Sequence, residues 1–556
     1  MALALSQLSV AAASALSVVN DTPDFQNYFL TDEPITFTFR INGGRPPADA
    51  DIDYTITDYR GEVVIRNSSR LARGWGFRLG LREERGQLGS GWFQLKVKLS
   101  RGKDLQLSDP TTVDFCVLPP VEPMDPRDSW FGIGGSFGGH INPGPWINAV
   151  TIVPIERSGA RWIRINSGWA ALQKSAEAPV HWAFYDEAVS ETAARGIKIL
   201  PLMVTSPEFA IDPDLETPMN PYKGQPMRRI LMPPMEAPWR KFLSEAVRRY
   251  HDQVPYWEIW NEPNAAGMWP YGDPDSFAQF FNLSGEIVKS TAPSARVVMG
   301  GTSGIKAGWL QSFFRHGANP DYLDVIAVHP YRGPESIPER GDPEASPGYG
   351  RKSLLQALAE VRQVMAELPP LPDGRKRELW CTESGFNTSD RVHSQLLTKV
   401  SKRKQARMVV RTMALARLAG VDRFFWFRFF STYGSGTGIV GSHENRFAPK
   451  PAYVAYAIME RKLGQTNKTS RLPVGSDDVF LVCFEGASTP VYVAWALKET
   501  AARLTVDRDG KLLITDMMGG SEERLVEKGR FSLTIGPDPI YLQPASSLKL
   551  SVSPGE

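Results

Sequence analysis

The sequence predicts an α/β protein whose centre is a closed (β/α)8 TIM barrel, with an N-terminal β-sandwich and a C-terminal β domain. Two observations support this fold class. The central part of the chain alternates short, continuous apolar runs with helical stretches, as strands that are buried on both faces do. The flanking parts show period-two alternation interrupted by Gly, Pro, Asn and Asp, which is typical of antiparallel β structure. The predicted domains are 1–120, 125–465 and 466–556.

The N-terminal domain is predicted from alternating segments at 35–41, 54–59 and 92–99, and a proline-rich linker at 118–126 follows it. The first 19 residues are apolar and rich in Ala and Ser, yet no Lys or Arg precedes Arg40. They are a remnant of a secretion signal, a sequence left from cloning, or a first strand. We therefore expect a secreted or periplasmic protein, with the cytoplasm as the alternative.

The barrel is predicted from eight strand-like runs separated by helical stretches. These runs lie at 131–135, 159–166, 197–204, 256–262, 295–301, 324–331, 378–386 and 422–428. After a closing helix at 452–463, β signals return at 478–484 and 491–497, with further strands predicted at 512–516 and 530–535. These later segments predict the small C-terminal β domain.

Composition excludes several classes of function. The 63 basic and 61 acidic residues give a net charge of +2, which argues against a nucleic-acid partner. No apolar run reaches the length of about 18 residues that a membrane helix needs. The three cysteines lie far apart, the seven histidines are scattered, and neither group shows metal-ligand spacing. We therefore predict no metal, no cofactor and no membrane span, and the sequence leaves the oligomeric state open.

Two glutamates stand at the ends of predicted barrel strands. Glu262 follows the aromatic run that begins at Tyr256, and Glu383 follows the run that begins at Glu378. The carboxyl ends of barrel strands meet at one face, so we expect these two side chains to converge there. Cleavage of a glycosidic bond by most glycoside hydrolases requires such a pair of carboxyl side chains, one on each side of the bond.

A wider set of motifs resembles the clan A retaining glycoside hydrolases. Asn261-Glu262-Pro263 lies on the fourth strand, His329-Pro330-Tyr331 on the sixth, Glu383 on the seventh and Trp426 on the eighth. The segment 449–453 and the trailing β domain resemble glycoside hydrolase family 39 most, and the resemblance covers about residues 130–543. It implies double displacement with Glu262 as acid/base and Glu383 as nucleophile, on an oligosaccharide or polysaccharide substrate.

The same resemblance implies roles for five further residues. Asn261 would bind the sugar 2-hydroxyl, Tyr331 would donate to Glu383, and Arg164 would lower the pKa of Glu383. His329 would contact a sugar hydroxyl or a carboxylate, and Trp426 would form the apolar floor under the sugar. Each residue also has an ordinary structural interpretation. Asn261 could form a turn, Tyr331 could pack at the barrel rim, and Arg164 could lie on the surface. His329 and Trp426 could belong to the core. Three others could reach the pocket: Phe137, His140 and Asn166.

The sequence leaves the substrate and two other functions open. Proteins that resemble family 39 include β-xylosidases, iduronidases and enzymes acting on bacterial exopolysaccharides. A transglycosylase would use the same two glutamates and would release little free sugar when a good acceptor is present. A non-catalytic glycan-binding barrel would not need the carboxylate pair.

Overall fold

The computed structural model describes residues 16–554, with gaps at 73, 82–84, 103–104, 126–128, 136–150, 166–167, 334–336, 390–398, 433–434, 487–488, 507–508, 527–529 and 545–549. The chain forms two compact units. One contains Met1–Pro119 with Ala448–Lys450, and the other contains Pro120–Phe447 with Pro451–Glu556. Most of the predicted N-terminal domain is therefore one unit. The barrel and the C-terminal strands share the other, so the division into three domains remains a prediction.

The N-terminal unit consists of two β-sheets. Strand order is β6-β3-β1-β9 in one sheet and β2-β10-β7-β4-β5 in the other, where β8 also pairs with β7. Phe29, Phe37 and Phe115 pack edge to face in the core, with centroids 5.1 to 6.2 Å apart. The strands are β1 Leu16–Asn20, β2 Tyr28–Leu30, β3 Thr36–Asn42, β4 Asp51–Asp58, β5 Val63–Arg70, β6 Gly76–Gly80, β7 Gly91–Arg101, β8 Leu105–Gln106, β9 Ser108–Asp109 and β10 Thr111–Leu118. The end of the apolar first segment is thus a strand, whereas residues 1–15 lie outside the described residues.

Eight parallel strands close into a barrel, which confirms the predicted fold class. The order is β17-β16-β13-β12-β11-β21-β20-β19, and pairing of Val298 with Val325 joins β17 to β19. A two-residue strand, β18, also pairs with β19, and β14 with β15 forms a small hairpin. The strands are β11 Phe131–Gly135, β12 Trp162–Ile165, β13 Lys198–Met203, β14 Met219–Asn220, β15 Gln225–Pro226, β16 Tyr256–Ile259, β17 Arg296–Met299, β18 Thr302–Ser303, β19 Val325–His329, β20 Glu378–Cys381 and β21 Arg423–Phe427.

Helices follow the barrel strands, and several begin at side chains that cap their first turn. Asp273 accepts from the backbone N–H groups of Asp275 and Ser276, and Ser353 forms a capping box with Gln356. The helices are α1 Ile152–Ser158, α2 Trp169–Leu172, α3 Ala183–Ala193, α4 Glu236–Tyr250, α5 Pro274–Thr291, α6 Ala307–Arg315, α7 Leu354–Ala366, α8 Lys402–Leu418 and α9 Pro451–Leu463. Among the described residues, no helix combines the length and the apolar character needed to cross a bilayer.

The C-terminal strands form a six-stranded sheet, β22-β23-β24-β29-β26-β27, and a three-stranded sheet, β28-β25-β30. A buried carboxylate of the barrel unit contacts them, because Glu339 accepts from Arg411 at 2.6 Å and from the Trp495 indole at 2.8 Å. The strands are β22 Thr466–Arg471, β23 Val479–Gly486, β24 Val491–Ala496, β25 Thr500–Val506, β26 Gly510–Asp516, β27 Ser521–Val526, β28 Arg530–Ile535, β29 Ile540–Pro544 and β30 Leu550–Pro554.

A polar network lies at the start of the barrel strands. Glu378 accepts from the Tyr256 hydroxyl at 2.7 Å, from Arg296 at 2.9 Å and from the Trp380 indole at 2.8 Å, and it also pairs with Arg423. Burial opposes ionisation of Glu378, but the Arg423 charge and the donated hydrogen bonds hold its pKa below the ordinary value. This carboxylate is therefore a charged component of the lower barrel interior.

We expect Glu378→Gln to lower the free energy of unfolding by about 3 kcal/mol at pH 7, because it leaves the buried Arg423 cation without its carboxylate. A carboxyl group whose pKa is lower in the folded than in the unfolded protein stabilises the fold at pH values above its unfolded-state pKa. That contribution is lost as pH falls through the folded pKa. The difference from wild type should therefore shrink below about pH 4.5. Urea unfolding at several pH values measures it.

The matched control is Glu522→Gln, which removes an exposed carboxylate paired with Arg524 at 2.8 Å. Exposed pairs contribute about 0 to 1 kcal/mol, so this variant should resemble wild type. A loss in Glu378→Gln that equals the control, or that is the same at every pH, would contradict the role of the network.

Candidate active site

The two predicted glutamates lie together at the C-terminal face of the barrel. Glu262 follows β16 and Glu383 follows β20. One carboxylate oxygen from each and a ring nitrogen of His329 all lie within 4.8 Å of one another. The convergence arises because parallel strands deliver the residues after their carboxyl ends to the same face.

The backbone around Glu262 adopts an unusual conformation. Trp260 and Glu262 have φ values of +66° and +47°, in the left-handed region that non-glycine residues rarely adopt. The Glu262 N–H donates to the carbonyl of Gly301 at 3.0 Å. A Cβ at Gly301 would lie 2.2 Å from Nε2 of His329, so only glycine allows this approach. Holding a non-glycine residue in this conformation costs about 1–3 kcal/mol of conformational strain, and such residues cluster at functional sites.

Both oxygens of Glu383 accept hydrogen bonds. Arg164 donates to Oε1 at 2.5 Å, and the Tyr331 hydroxyl donates to Oε2 at 2.9 Å. Burial would raise the pKa of Glu383, but the charges of His329 and Arg164 and the hydrogen bonds from Tyr331 and Arg164 lower it. Glu383 is therefore held as an oriented anion at neutral pH.

Tyr331 is a hydrogen-bond donor in this site. Burial and the negative charges of Glu383 and Glu262 raise its pKa well above the ordinary value, so the phenol keeps its proton. Its ring also packs edge to face with Phe427, with centroids 6.3 Å apart. The structure thus places Tyr331 against the oxygen of Glu383 that Arg164 does not contact.

Arg164 connects Glu383 to a buried carboxylate that the sequence analysis did not identify. Its guanidinium donates to Glu258 through Nε at 2.5 Å and through the amino nitrogen Nη2 at 3.2 Å. The Glu258 side chain has no exposed surface, and that of Arg164 is 2% exposed. A signal was present, because both charges interrupt apolar strands and buried charges need partners. Glu258 balances the charge that faces Glu383.

Asn261 also contacts Arg164. Its Oδ1 accepts from Arg164 Nη2 at 2.8 Å, which fixes the orientation of the amide. No described residue accepts a hydrogen bond from Nδ2 of Asn261, so the two N–H groups of this amide are available to a ligand. Binding of the sugar 2-hydroxyl by Asn261 stays a prediction.

His329 bridges the other glutamate to the seventh strand. Its Nδ1 lies 3.0 Å from Glu262 Oε1, and its Nε2 lies 3.0 Å from the Thr382 hydroxyl. An ionised carboxylate can only accept, so Nδ1 carries the hydrogen when Glu262 is charged. The ring is fully buried, and His329 is therefore a carboxylate partner rather than a contact of a sugar hydroxyl.

Trp426 does not reach the site, which corrects the prediction that it forms the floor of the sugar pocket. Its side chain is fully buried and stacks with Phe386 and Phe424, on the outer face of β21. Alternation along the strand puts Phe425 and Phe427 on the inner face instead. Phe427 is partly exposed beside Tyr331 and is the aromatic ring that the eighth strand contributes. Phe137, His140 and Asn166 lie outside the described residues.

Glu262, His329 and Glu383 also have the oxygen and nitrogen ligands that a divalent cation could use. Two contacts disfavour a cation there. The oxygens of Glu383 already accept from Arg164 and Tyr331, and the Arg164 guanidinium brings a positive charge to the same carboxylate. The geometry therefore favours two carboxylates that act without a metal.

Comparison with known proteins supports the fold. A scan against protein-family models finds no match, and a search of curated proteins finds none either. Among solved structures, a family 39 glycoside hydrolase from Bacteroides cellulosilyticus matches with a TM-score of 0.72 and 18% identity, over 94% of this chain and 99% of that one. A β-xylosidase from Caulobacter crescentus matches at 0.51 and 16%, over 77% and 98%.

A family 30 endoxylanase from Clostridium papyrosolvens also matches, with a TM-score of 0.51 and 13% identity, over 75% of this chain and 96% of that one. The family 39 and family 30 structures belong to the clan that the sequence motifs resemble. The resemblance is therefore confirmed at the level of the fold.

Proposed function

We propose that this protein is a retaining O-glycoside hydrolase that cleaves oligosaccharides or polysaccharides through a covalent glycosyl-enzyme. The observation that carries the proposal is that one carboxylate oxygen of Glu262 lies within 4.8 Å of one carboxylate oxygen of Glu383. Retaining enzymes separate the two groups by about 5–5.5 Å, whereas inverting enzymes leave about 6.5–9.5 Å for a water molecule. The spacing therefore supports double displacement.

In the first step, Glu383 attacks the anomeric carbon while the bond to the leaving oxygen breaks. Arg164 and Tyr331 keep the attacking carboxylate ionised and fix its orientation. Glu262 donates its proton to the leaving oxygen, which departs as an alcohol. The Nδ2 of Asn261 would donate to the sugar beside the reacting carbon, and the Phe427 side chain would pack against the sugar.

In the second step, water attacks the anomeric carbon and the ester bond to Glu383 breaks. Glu262 now accepts the proton of the water. The glycosyl ester removes the negative charge at Glu383, which favours the ionised form of its neighbour. His329 donates to that carboxylate through Nδ1 and keeps it directed at the reaction centre.

The direct test is a panel of aryl glycosides that covers α and β anomers and pyranose and furanose rings, followed by proton NMR of the first product. We expect hydrolysis of at least one member and a first-formed sugar with the anomeric configuration of the substrate. An inverted product would reject the mechanism. Absence of turnover on the panel and on polysaccharides would favour a glycan-binding barrel, and dominant transfer to an added sugar would favour a transglycosylase.

Glu258→Gln tests the charge balance beneath the nucleophile. Removing this negative charge leaves the Arg164 cation to act more strongly on Glu383, so the pKa of Glu383 should fall further. We expect the acidic limb of the kcat/KM profile to move to lower pH, with a several-fold loss of kcat at neutral pH. An unchanged acidic limb would contradict the role of Glu258. Glu245→Gln is a control, because Glu245 contacts the Trp182 indole at 2.7 Å, outside this network.

A further inference from the structure

A cavity adjoins the candidate active site, because Tyr331 of that site is part of its lining. We call it the side cavity; its volume is about 230 Å³. Its described lining contains four cationic side chains, Lys306, Arg332, Arg351 and Lys352, and a single acidic one, Glu360. Pockets for drug-sized ligands occupy about 300–1,000 Å³, so this space fits one small group rather than a saccharide chain.

Lys306 supplies a partly desolvated positive charge to the side cavity. Its ammonium donates to the carbonyl of Pro347 and lies 5.1 Å from the centroid of the Tyr349 ring. Among the described residues, no carboxylate lies within ion-pair distance of this ammonium. Burial lowers the pKa of Lys306, which shows that the surroundings do not compensate the charge. An anion in the cavity would do so.

The remaining cations differ in how far protein groups neutralise them. Lys352 pairs with Glu360. Arg351 donates to the carbonyl of Ala345 at 3.1 Å, and no described carboxylate pairs with it. Arg332 is buried and donates to three backbone carbonyls, those of Arg340, Gly350 and Lys352. The negative charges of Glu339 and Asp342 act on Arg332, so the excess of positive charge in the side cavity comes from Lys306 and Arg351.

The first turn of α6 adds oriented N–H groups to the same lining. Ala307 and Gly308 line the cavity, and Lys306 at the N-cap position makes no capping hydrogen bond with its side chain. The N–H groups of a first turn have no acceptor within the helix, and the helix dipole places partial positive charge there. Together with Lys306 and Arg351, these groups match the oxygens of an anion.

We propose that the side cavity is an oxyanion-binding site that accepts a sulfate or phosphate ion or an anionic group carried by a saccharide. This site goes beyond the proposed hydrolysis, since binding there requires no turnover. Tyr331 lines the side cavity and also donates to Glu383, so the same residue belongs to both sites. An acidic saccharide could place its charged substituent there.

Isothermal titration of the intact protein at low ionic strength tests the proposal with three probes: sodium sulfate, sodium glucuronate and neutral glucose. We expect at least one anionic probe to bind at least tenfold more tightly than glucose. Lys306→Met should weaken that binding tenfold or more, and Arg351→Met should weaken it several-fold. The matched control is Lys241→Met, an exposed lysine on α4, which should bind as wild type does.

The two anionic probes distinguish the source of the ligand. Tighter sulfate binding indicates a free oxyanion, and tighter glucuronate binding indicates a sugar-borne carboxylate. Equal binding of all three probes, or anion binding that both substitutions leave unchanged, would overturn the proposal. If Lys306→Met fails to fold, the exposed Arg351 decides the outcome. Because turnover is not measured, failure of this site is distinguishable from failure of the proposed hydrolase activity.

Discussion

Replacing Glu383 with glutamine is expected to reduce turnover by roughly 10⁵-fold or more on every glycoside that the protein accepts. The amide cannot form the glycosyl ester, so the first displacement is lost whatever the leaving group. Arg164 and Glu258 remain as an ion pair in this variant, which limits the change in stability. Initial rates on a good aryl glycoside measure the effect, with Glu522→Gln as the exposed matched control.

A mechanism-based inhibitor gives an independent readout of the same residue. A 2-deoxy-2-fluoro glycoside with a good leaving group forms the intermediate faster than it is hydrolysed. Mass spectrometry should find the added sugar on the peptide that contains Glu383 in wild type, and no adduct in Glu383→Gln. An adduct on another residue, or more than about 1% residual turnover, would reject Glu383 as the nucleophile.

The second large effect is expected for Glu262→Ala, and it should depend on the leaving group. A natural glycoside needs a proton on its departing oxygen, so its kcat/KM should fall by about 10²–10⁴-fold or more. A dinitrophenyl glycoside leaves without that proton, and its glycosylation rate should change far less. The ratio of kcat/KM for the two substrates, in variant and wild type, measures the prediction.

Azide provides the complementary test of Glu262→Ala. The small anion can enter the space left by the side chain and attack the glycosyl-enzyme without base catalysis. We expect azide to accelerate turnover of the dinitrophenyl substrate and to yield a glycosyl azide with retained configuration. Equal losses on both substrates, together with no azide product, would contradict the acid/base role.

The barrel and its two glutamates are features that the sequence reveals directly. A buried parallel strand is a short continuous apolar run, and the residue that follows it must lie at the carboxyl face of the barrel. Glu262 and Glu383 each follow such a run, so their convergence could be predicted although the chain separates them widely. Tyr331 follows the sixth strand and is located by the same reasoning.

Side-chain direction and long-range pairing were decided only by the tertiary structure. Trp426 and Phe427 are adjacent aromatics, and the register of β21 with its neighbours determines that Phe427 faces inward while Trp426 packs outside. Glu258 interrupts an apolar run in the sequence, but only the tertiary structure shows that its partner is Arg164 on β12. The side cavity likewise combines α6 with the loop before α7. Local periodicity identifies an element and its end, whereas closure of the sheet determines which side chains meet.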